Sequence, residues 1–451
     1  MNKLALRVDI QFTREILEKY MNPISMGHEI LNSTGICLDS RSIQKGDLFF
    51  ALKAARDGHE FVQNALLKGA SGVVVEKPSG ASKEIVVHDT LEALHQLARS
   101  YRDQWGKTVI GISGSNGKTT TKEIIQVLLG NDAFSTPGTW NNHLGIPLSL
   151  FLLRDKHQFA IIEMGINQFG DLKGYCSYAK PDVGVLTVIG QSHLMNLKNQ
   201  AGVAKAKQEL FQALPSNGTA VILLDDPYIC EMISSLSCRI VKVSLHKQAD
   251  VWIRDVQGDL ITVAYGDETI RAPFNLKGEH NLSNLVCAMG VAYSLGVSSK
   301  VVEQAVPKIQ PLEMRMQELS TKDGVSLIVD CYNANPTSTR AGLSMVSALQ
   351  GRKIAFLGDM LELGVESSKI HMDVGKYLGG CDLDHVFLMG QFAQDYYQGA
   401  LLGGLRESQL TILDERANAL QKIRAHLQRG DILYVKGSRG MKLEELIAPL
   451  L

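Results

Sequence analysis

Short apolar runs alternate with amphipathic segments along most of the chain. Within residues 106–312, strands are predicted at Thr108–Ile112, Phe159–Met164, Val183–Val188 and Ala220–Leu224, and segments of helical length separate them. This alternation is typical of a parallel sheet with helices on its faces. The middle of the chain is therefore predicted to be an α/β domain.

The same alternation continues on both sides of this region. Residues 1–105 mix β-rich runs with helical stretches, and a third segment begins near Gln310-Pro311-Leu312. A turn at Lys322-Asp323-Gly324 is expected to lead into the first strand of that segment. Its predicted strands are Ser326–Tyr332, Lys353–Leu357, His385–Met389 and Ile432–Val435. We predict three α/β domains, 1–105, 106–312 and 313–451, the last being Rossmann-like with ligands at the carboxyl edge of its sheet.

Composition narrows the class of protein. The 451 residues have a formal net charge of -1, which gives no global basic field and argues against nucleic acid as a partner. Seven scattered cysteines, an odd number, favour a reducing compartment. Arg7 and Asp9 interrupt the apolar N-terminus, and no apolar run approaches the roughly 18 residues that a membrane span needs. We expect a cytoplasmic protein without a membrane partner, acting as a monomer.

The segment Thr108–Glu123 carries the clearest chemical signal. A β-rich run enters the turn Gly114-Ser115-Asn116-Gly117-Lys118-Thr119, and a helix-forming run follows it. A glycine-rich turn that opens a helix directs backbone N–H groups and the helix dipole at one point, which suits phosphate. Ile112 stands where the full P-loop pattern has its first glycine. We interpret the turn as a phosphate loop, and the alternative is a glycine turn with an exposed lysine.

Two further residues are candidates for a metal site. Glu163 ends the apolar run FAIIE, so its carboxylate should emerge at the carboxyl edge of the sheet beside the phosphate loop. A carboxylate there suits Mg²⁺ on a bound triphosphate, and the alternative is a salt bridge at the strand end. His193 ends the next strand region, LTVIGQSH, where a structural histidine is the alternative.

Lys207 lies on the apolar side of a predicted helix, Ala201–Leu214, whereas Lys205 faces outward. The apolar stripe consists of Val203, Leu210, Phe211 and Leu214. A buried ammonium without a partner is costly. Lys207 should therefore have a carboxylate neighbour or carry a chemically changed charge, unless it reaches solvent at the edge of the helix.

A series of motifs follows in a fixed order: GSNGKTT, EMG, AGVAKAKQELF, KGEHNLSN and DCYNANPTS. Over nearly the whole chain they resemble the Mur ligase family, the ATP-dependent amide-forming enzymes of peptidoglycan precursor synthesis. LDSRSIQKGDLFFAL and RDGHEFVQNALLKGA are similar to the UDP-binding domain of the members that add the third and fourth amino-acid units. DCYNANPTST, FLGDMLELG and VKGSRGMKLEEL are similar to the last member of the series, and the Asp-Asn-Pro-Arg tetrapeptide of the third-residue-adding member does not occur.

The resemblance implies substrates and a division of labour. UDP-N-acetylmuramoyl-tripeptide would bind the first domain, ATP with Mg²⁺ the central domain, and D-alanyl-D-alanine the third domain, which would close over ATP. The two substrates would be joined through an acyl phosphate. The third residue of the tripeptide is either meso-diaminopimelate or L-lysine.

The resemblance also assigns roles to residues at matching positions. Those expected to bind ATP are Gly114, Ser115, Asn116, Gly117, Lys118, Thr119, Thr120, Asn281, Asn284, Arg315, Asn333 and Asn335. The expected metal ligands are Thr119, Glu163, His193 and Lys207, the last as an N-carbamate, and the expected catalytic residues are Lys118, Glu163, His193 and Lys207. The UDP substrate is expected to contact Asp39, Ser40, Arg41 and His59. The chain departs from the family pattern at Val188, commonly Asn, and at Met195, often acidic.

Three other functions compete with this interpretation. A ligase similar to folylpolyglutamate synthase shares the central domain but lacks a UDP-type N-terminal domain. A nucleotide-gated scaffold would not need Lys118, Glu163, His193 and Lys207 together. A small-molecule kinase would not need a second site for an amine.

Overall fold

The computed structural model describes residues 6–30, 32–54 and 56–451, and three sheets of six, nine and six strands follow one another along this part of the chain. Residues 1–5, where the first predicted domain begins, lie outside the described residues. The predicted α/β class with three domains is confirmed, whereas the residue boundaries of the domains stay a prediction. None of the helices in the described ranges has the length and apolar character that crossing a bilayer requires.

The first sheet is mostly parallel. Its strand order is β1-β3-β4-β5-β6-β2, with β3 to β6 parallel and an antiparallel strand at each edge. The strands are β1 Arg7–Phe12, β2 Ser25–Met26, β3 Ser33–Cys37, β4 Asp47–Phe50, β5 Gly72–Val75 and β6 Glu84–Val86. The helices are α1 Arg14–Met21, α2 Val62–Leu67 and α3 Thr90–Trp105. The side chain of Asp89 caps α3 by accepting from the Glu92 N–H, and Gly106 ends it with a left-handed φ.

The central sheet has the order β15-β14-β13-β12-β11-β10-β7-β9-β8. Its strands are β7 Thr108–Ser113, β8 Ala133–Ser135, β9 Phe159–Glu163, β10 Val183–Leu186, β11 Thr219–Leu223, β12 Arg239–Ser244, β13 Val251–Gln257, β14 Leu260–Tyr265 and β15 Glu268–Pro273. The helices are α4 Lys118–Leu129, α5 Gly145–Leu150, α6 Asp171–Ala179, α7 Leu194–Leu197, α8 Gln200–Gln212, α9 Pro227–Glu231, α10 Glu279–Ser294 and α11 Ser299–Ala305. The sheet is parallel except for β14 and β15, which form an antiparallel meander with β13.

The third sheet has the order β16-β17-β21-β18-β19-β20 and is parallel except for β16. Its strands are β16 Gln317–Ser320, β17 Ser326–Asp330, β18 Lys353–Gly358, β19 His385–Met389, β20 Leu410–Ile412 and β21 Ile432–Lys436. The helices are α12 Pro336–Ser347, α13 Ser367–Leu378, α14 Ala393–Gly403, α15 Arg416–His426 and α16 Leu443–Ile447. The turn at Lys322-Asp323-Gly324 leads into the strand predicted from Ser326, but that strand is not the first of the segment, because β16 precedes it. This turn joins β16 to β17 in a hairpin, with Gly324 at φ 79°.

The cores show how the three sheets are connected. One continuous apolar cluster runs from the first sheet through α3 into the central sheet, and Phe12, Tyr101 and Phe151 meet edge to face within it. The third sheet has two apolar cores of its own, one on each face. The first two sheets therefore share a continuous core, while the third domain has cores of its own, as expected for a part that can move as a unit.

Asp47 and Arg7 offer a test of the first sheet. Asp47 is buried and accepts two hydrogen bonds from Arg7, at 2.8 and 2.9 Å. Asp47→Ala leaves the guanidinium without its buried partner, so we expect the free energy of unfolding to fall by about 3–5 kcal/mol in urea titrations. Asp9→Ala is the matched control, since Asp9 pairs with the same Arg7 but is 81% exposed, and should cost less than about 1 kcal/mol. Equal losses in the two variants would contradict this account.

Candidate active site

The predicted phosphate loop lies at the carboxyl edge of the central sheet, between the ends of β9 and β10. It follows β7, and α4 begins at Lys118. Gly117 has a φ of 80° and Gly114 a φ of 147°, values that residues with a side chain rarely adopt. Thr187 packs so closely that a Cβ on Gly114 would clash with its hydroxyl oxygen. The loop is thus held between two strand ends, with the first N–H groups of α4 at the same edge.

Lys118 is the cation of this loop. Its Nζ donates to the Gly114 carbonyl oxygen at 2.8 Å. Burial lowers the pKa of Lys118, the nearby Arg315 charge adds to this lowering, and the Glu163 carboxylate opposes it. Lys118, Glu163 and Arg315 are therefore close enough to act on one another electrostatically, although Arg315 belongs to the third domain.

Ser115 connects the loop to the segment that leads to His193. Its Oγ donates to the Gly190 carbonyl oxygen at 3.0 Å and accepts from the Gly190 N–H at 2.9 Å. The Ser192 hydroxyl donates to Ser115 Oγ at 3.1 Å. The Ser115 side chain therefore shapes the neighbouring loop, and its backbone N–H is also engaged within the protein, since it donates to the Val188 carbonyl oxygen at 2.8 Å.

Glu163 stands where the sequence predicts it, at the end of β9 and buried. Its backbone pairs with Ile112 on β7, directly before the phosphate loop. The Asn141 side-chain amide donates to Glu163 Oε1 at 2.8 Å. Glu163 Oε2 is buried and has no hydrogen-bond partner among the described residues. A buried carboxylate oxygen without a partner fits a cation ligand, because burial of an unpaired charge is otherwise costly.

Lys207 is buried within α8, as the apolar stripe predicts, and Lys205 is exposed. Lys207 is only 1% exposed, so its stem and head group lie almost entirely within the protein. No hydrogen bond or ion pair to its Nζ is found in the described part of the chain. Burial lowers the pKa of Lys207 far below its usual value, and the charge of Lys118 adds to this effect. Burial and the nearby charge of Lys118 therefore both favour the uncharged form of the Lys207 amine.

His193 lies farther from the strand than predicted. β10 ends at Leu186, and His193 instead precedes α7 with a left-handed φ of 52°. Its Nδ1 lies 3.1 Å from Oε2 of Glu362, a residue of the third domain. His193 therefore contacts the third domain through Glu362.

The third domain touches the phosphate loop at two further points. Arg315 donates to Thr119 Oγ1 at 2.9 Å, and its guanidinium stacks on the Tyr332 ring at 4.2 Å. Asn335, which caps α12, donates from Nδ2 to Asn116 Oδ1 at 2.6 Å. These contacts are polar, in contrast to the apolar core that joins the first two sheets.

The predicted asparagines differ in their contacts. Asn333 is exposed, and its Oδ1 accepts from the Ala334 N–H. Asn284 lies against the phosphate loop, because its Oδ1 accepts from Thr121 and would meet a Cβ placed on Gly117. Asn281 accepts from Asn284 at 3.3 Å. Their predicted nearness to adenine stays a prediction.

The remaining loop residue, Thr120, is buried in the first turn of α4. It shares that turn with Thr119, whose hydroxyl accepts from Arg315. Thr119 is therefore the threonine of the loop whose side chain faces the third domain.

The residues predicted to contact UDP lie at one edge of the first sheet. Asp39, Ser40 and Arg41 follow β3, and His59 follows β4. Arg41 donates to Asp39 at 2.6 Å and is largely exposed. His59 Nε2 accepts from the Glu76 N–H at 2.9 Å, which requires Nδ1 to carry the proton that it shares with Asp57 at 2.6 Å. Both nitrogens of His59 are therefore engaged within the protein.

A cavity of about 270 Å³ opens beside His59. Its wall includes Lys53, which forms an ion pair with Glu76, and Pro78. The cavity lies beyond the carboxyl ends of parallel strands β4 and β5, where sheets of this type bind ligands.

Several residues of the site were not predicted from the sequence. Asn141, Thr187, Tyr332 and Glu362 contact Glu163, Gly114, Arg315 and His193, respectively. Tyr332 lies within the motif DCYNANPTS and Glu362 within FLGDMLELG, so both motifs contained the signal. Asn141 lies in a loop after the short strand β8 and carries no comparable signal.

Two α/β domains with one core, a phosphate loop at a sheet edge and a third domain that docks on it define the class of protein. The Mur ligase family catalytic domain matches residues 32–102, the Mur ligase middle domain residues 112–292, and the Mur ligase glutamate ligase domain residues 314–439. The chain belongs to the Mur ligase family.

Relatives within the family are similar over almost their full length. The UDP-N-acetylmuramoyl-tripeptide–D-alanyl-D-alanine ligase of Bacillus subtilis is 33% identical over 430 residues, 92% of this chain and 93% of the relative. A crystal structure of MurF from Acinetobacter baumannii matches with a TM-score of 0.90 and 30% identity, over 98% of this chain and 99% of that one. MurF from Thermotoga maritima in complex with ADP matches with a TM-score of 0.82 and 26% identity, over 92% and 96%.

Arg315 tests whether the third domain docks through the phosphate loop. A hydrogen bond from a charged group contributes about 1.5–3 kcal/mol. A non-hydrolysable ATP analogue should compact the protein. In Arg315→Ala, the analogue concentration that gives half-maximal compaction should therefore be about ten- to hundredfold higher. Small-angle scattering measures the radius of gyration during the titration. Lys308→Ala, which removes an exposed cation of the same connecting segment, should behave like the unaltered protein, and unchanged compaction in Arg315→Ala would count against docking by this contact.

Proposed function

We propose that this protein is the ATP-dependent ligase that joins D-alanyl-D-alanine to UDP-N-acetylmuramoyl-tripeptide in peptidoglycan precursor synthesis. The docking of Asn335 and Arg315 on Asn116 and Thr119 carries the proposal, because it makes the third domain part of the ATP site. The end-to-end similarity to relatives named for this reaction supports the choice of substrates. We also propose that the domains divide at residues 105 and 312.

The chemistry requires an activated carboxylate. A carboxylate oxygen of the tripeptide attacks the γ-phosphorus of ATP, and ADP leaves. The neutral amine of the dipeptide then attacks the acyl carbon, and phosphate leaves with that oxygen. A triphosphate beside a carboxylate gathers about five negative charges, so closely placed cations are needed to lower the barrier.

Residues of this chain supply part of that charge. Lys118 moves from its own loop carbonyl to the phosphate oxygens, and Arg315 brings a second cation from the third domain. Docking of the third domain on the loop also excludes water, which protects an acyl phosphate from hydrolysis. Asn141 keeps Glu163 oriented at the edge of the sheet.

We propose that Mg²⁺ is held by Thr119, Glu163, His193 and the carbamate of Lys207. The unpartnered Oε2 of Glu163 supports this, since it is a buried oxygen that a cation would satisfy. When bound, Mg²⁺ neutralises phosphate charge and polarises the γ-phosphoryl group. A free ammonium at Lys207 would repel the metal, whereas a carbamate would bind it.

The carbamate follows from the surroundings of Lys207. The buried, neutral amine adds to carbon dioxide, forming an N–C bond and releasing one proton. The product carries a negative charge, which the neighbouring Lys118 stabilises instead of opposing. The apolar stripe of α8 thus holds a group that becomes a metal ligand only after modification.

The first sheet holds the uridine diphosphate handle in this proposal. Arg41, exposed beside Asp39, supplies a cation for the diphosphate. Because both ring nitrogens of His59 are engaged, this residue supports the site by orienting Asp57 and the Glu76 backbone. The Lys68 ammonium holds the Ser40 carbonyl oxygen at 2.7 Å and fixes the same loop.

The competing functions have less support. The relatives named for the proposed reaction align over the first sheet as well, which a ligase similar to folylpolyglutamate synthase would not share. A kinase needs no third domain beside the phosphate loop. A scaffold needs neither a buried Glu163 Oε2 without a partner nor a buried Lys207. We further propose that the protein works in the cytoplasm as a monomer. All seven cysteines are free, and one chain supplies every part of the site.

Lys118 separates ATP chemistry from substrate binding. The unaltered protein should release phosphate only when ATP, D-alanyl-D-alanine and one of the two UDP-N-acetylmuramoyl-tripeptides are all present. Lys118→Ala should lower turnover by at least about a thousandfold, because charge stabilisation at the transition state is lost. Its affinity for the UDP substrate should change by less than about tenfold, roughly 1.4 kcal/mol. Lys156→Ala, an exposed lysine, is the control, and loss of UDP-substrate binding in Lys118→Ala would refute the division of labour.

Lys207 tests the carbamate. Protein equilibrated with ¹³C-bicarbonate should show a carbamate carbon signal in NMR spectra, and turnover should fall in degassed buffer and return when bicarbonate is added. Lys207→Arg should lose both the signal and turnover, since a guanidinium stays charged and forms no carbamate. Lys205→Arg, on the exposed side of the same helix, should retain both. Near-normal turnover of Lys207→Arg would contradict the carbamate.

A further inference from the structure

The loop after β18 brings a carboxylate of the third domain to the central domain. Glu362 Oε2 lies 3.1 Å from Nδ1 of His193. Immediately beyond it, Gly364 packs against Met195 in the first turn of α7. The two elements thus contact each other at the ion pair and again immediately beyond it.

The loop itself is fixed to the third domain. The Met360 N–H donates to Nε2 of the fully buried His371 at 2.9 Å. The next N–H, that of Leu361, donates to Ser438 Oγ at 2.9 Å. Because two successive backbone groups are anchored in this way, Glu362 moves with the third domain and reaches His193 only when that domain is docked.

Both partners of the ion pair have unusual backbones. Glu362 has a φ of 64° and His193 a φ of 52°, in the left-handed region that costs a non-glycine residue free energy. Such conformations persist where the surroundings impose them and are concentrated at functional sites. Two of them in direct contact across a domain interface point to a contact with a role beyond packing.

The ring of His193 shows what that role is. Glu362 engages Nδ1, and no hydrogen bond to Nε2 is found among the residues that the structure describes. A carboxylate on one ring nitrogen fixes the tautomer and the ring orientation and makes the other nitrogen a better metal ligand. We propose that Glu362 is a positioning residue that orients His193 for the metal only in the docked state, an inference that rests on the metal site of the proposed function.

The contribution of the Glu362–His193 ion pair to the stability of the fold is too small to explain its presence. The Glu362 side chain is 71% exposed, and exposed ion pairs contribute little to folding. A weak pair is suited to repeated making and breaking as the third domain docks and leaves. Metal affinity should accordingly rise on docking, which links the metal to the arrival of the third domain and its substrate.

Binding of Mn²⁺ tests the inference without an activity measurement. In the presence of a non-hydrolysable ATP analogue, Glu362→Gln and Glu362→Ala should weaken the His193-dependent Mn²⁺ site by about ten- to hundredfold in electron paramagnetic resonance titrations. The nitrogen coupling of a histidine to Mn²⁺ should weaken as well. Glu366→Gln is the control, because Glu366 is exposed in the same loop and pairs only with Lys369 among the described residues.

A double-mutant comparison decides how Glu362 acts. His193→Ala should abolish the nitrogen coupling, and adding Glu362→Ala to it should cause no further loss of Mn²⁺ affinity. If His193→Ala weakens the site but Glu362→Ala does not, the inference is overturned while the proposed metal site stands. If His193→Ala leaves Mn²⁺ binding unchanged, both fail. Additive losses in the double variant would also overturn it, since Glu362 would then act without His193.

Discussion

Two buried groups without partners, Glu163 Oε2 and Lys207 Nζ, set the conditions for the rest of the site. Both interact electrostatically with Lys118, Glu163 Oε2 is buried without a hydrogen-bond partner among the described residues, and the Lys207 side chain is buried. A folded chain does not retain such groups without a compensating role, because each costs free energy. A metal ion, a triphosphate and a carbamate together satisfy them. The edge of the central sheet therefore suits charged ligands, which would satisfy these buried groups.

The third domain has cores separate from that of the first two sheets, and this separation explains how the ligands can enter the site. The first two sheets share one apolar core, so the UDP side and the phosphate loop keep a fixed relation. The third domain is held to the loop by polar contacts at Asn116, Thr119 and His193, which water can replace. Docking and release thus cost little, while the docked state gathers Arg315, Asn335 and Glu362 around the phosphate loop. Water-sensitive chemistry in the docked state follows from this arrangement.

The sequence predicted the parts of the fold that have strong local patterns. The phosphate loop, Glu163 at its strand end and the buried stripe of α8 with Lys207 are local features, and the structure has each of them. The meander β13 to β15 was missed, although the turns at Gly258 and Gly266 and the apolar run of β14 mark it, because β13 and β15 are partly exposed and interrupted by charged residues. Contacts between domains, such as Glu362 with His193, depend on packing of distant segments, which no local pattern encodes. The role of Asn333 in binding ATP stays a prediction, and its Oδ1 accepts from the N–H of Ala334 in this structure.

Transfer of a carboxylate oxygen from the tripeptide to phosphate is the direct sign that an acyl phosphate forms. If this protein activates the carboxylate of UDP-N-acetylmuramoyl-tripeptide through an acyl phosphate, a carboxylate labelled with ¹⁸O at both oxygens must pass one of them to the released phosphate. Mass spectrometry of phosphate formed with ATP and D-alanyl-D-alanine measures this transfer. The account predicts one labelled oxygen per phosphate in a single turnover. Unlabelled phosphate would mean that water attacks ATP, and it would contradict a ligase mechanism at this site.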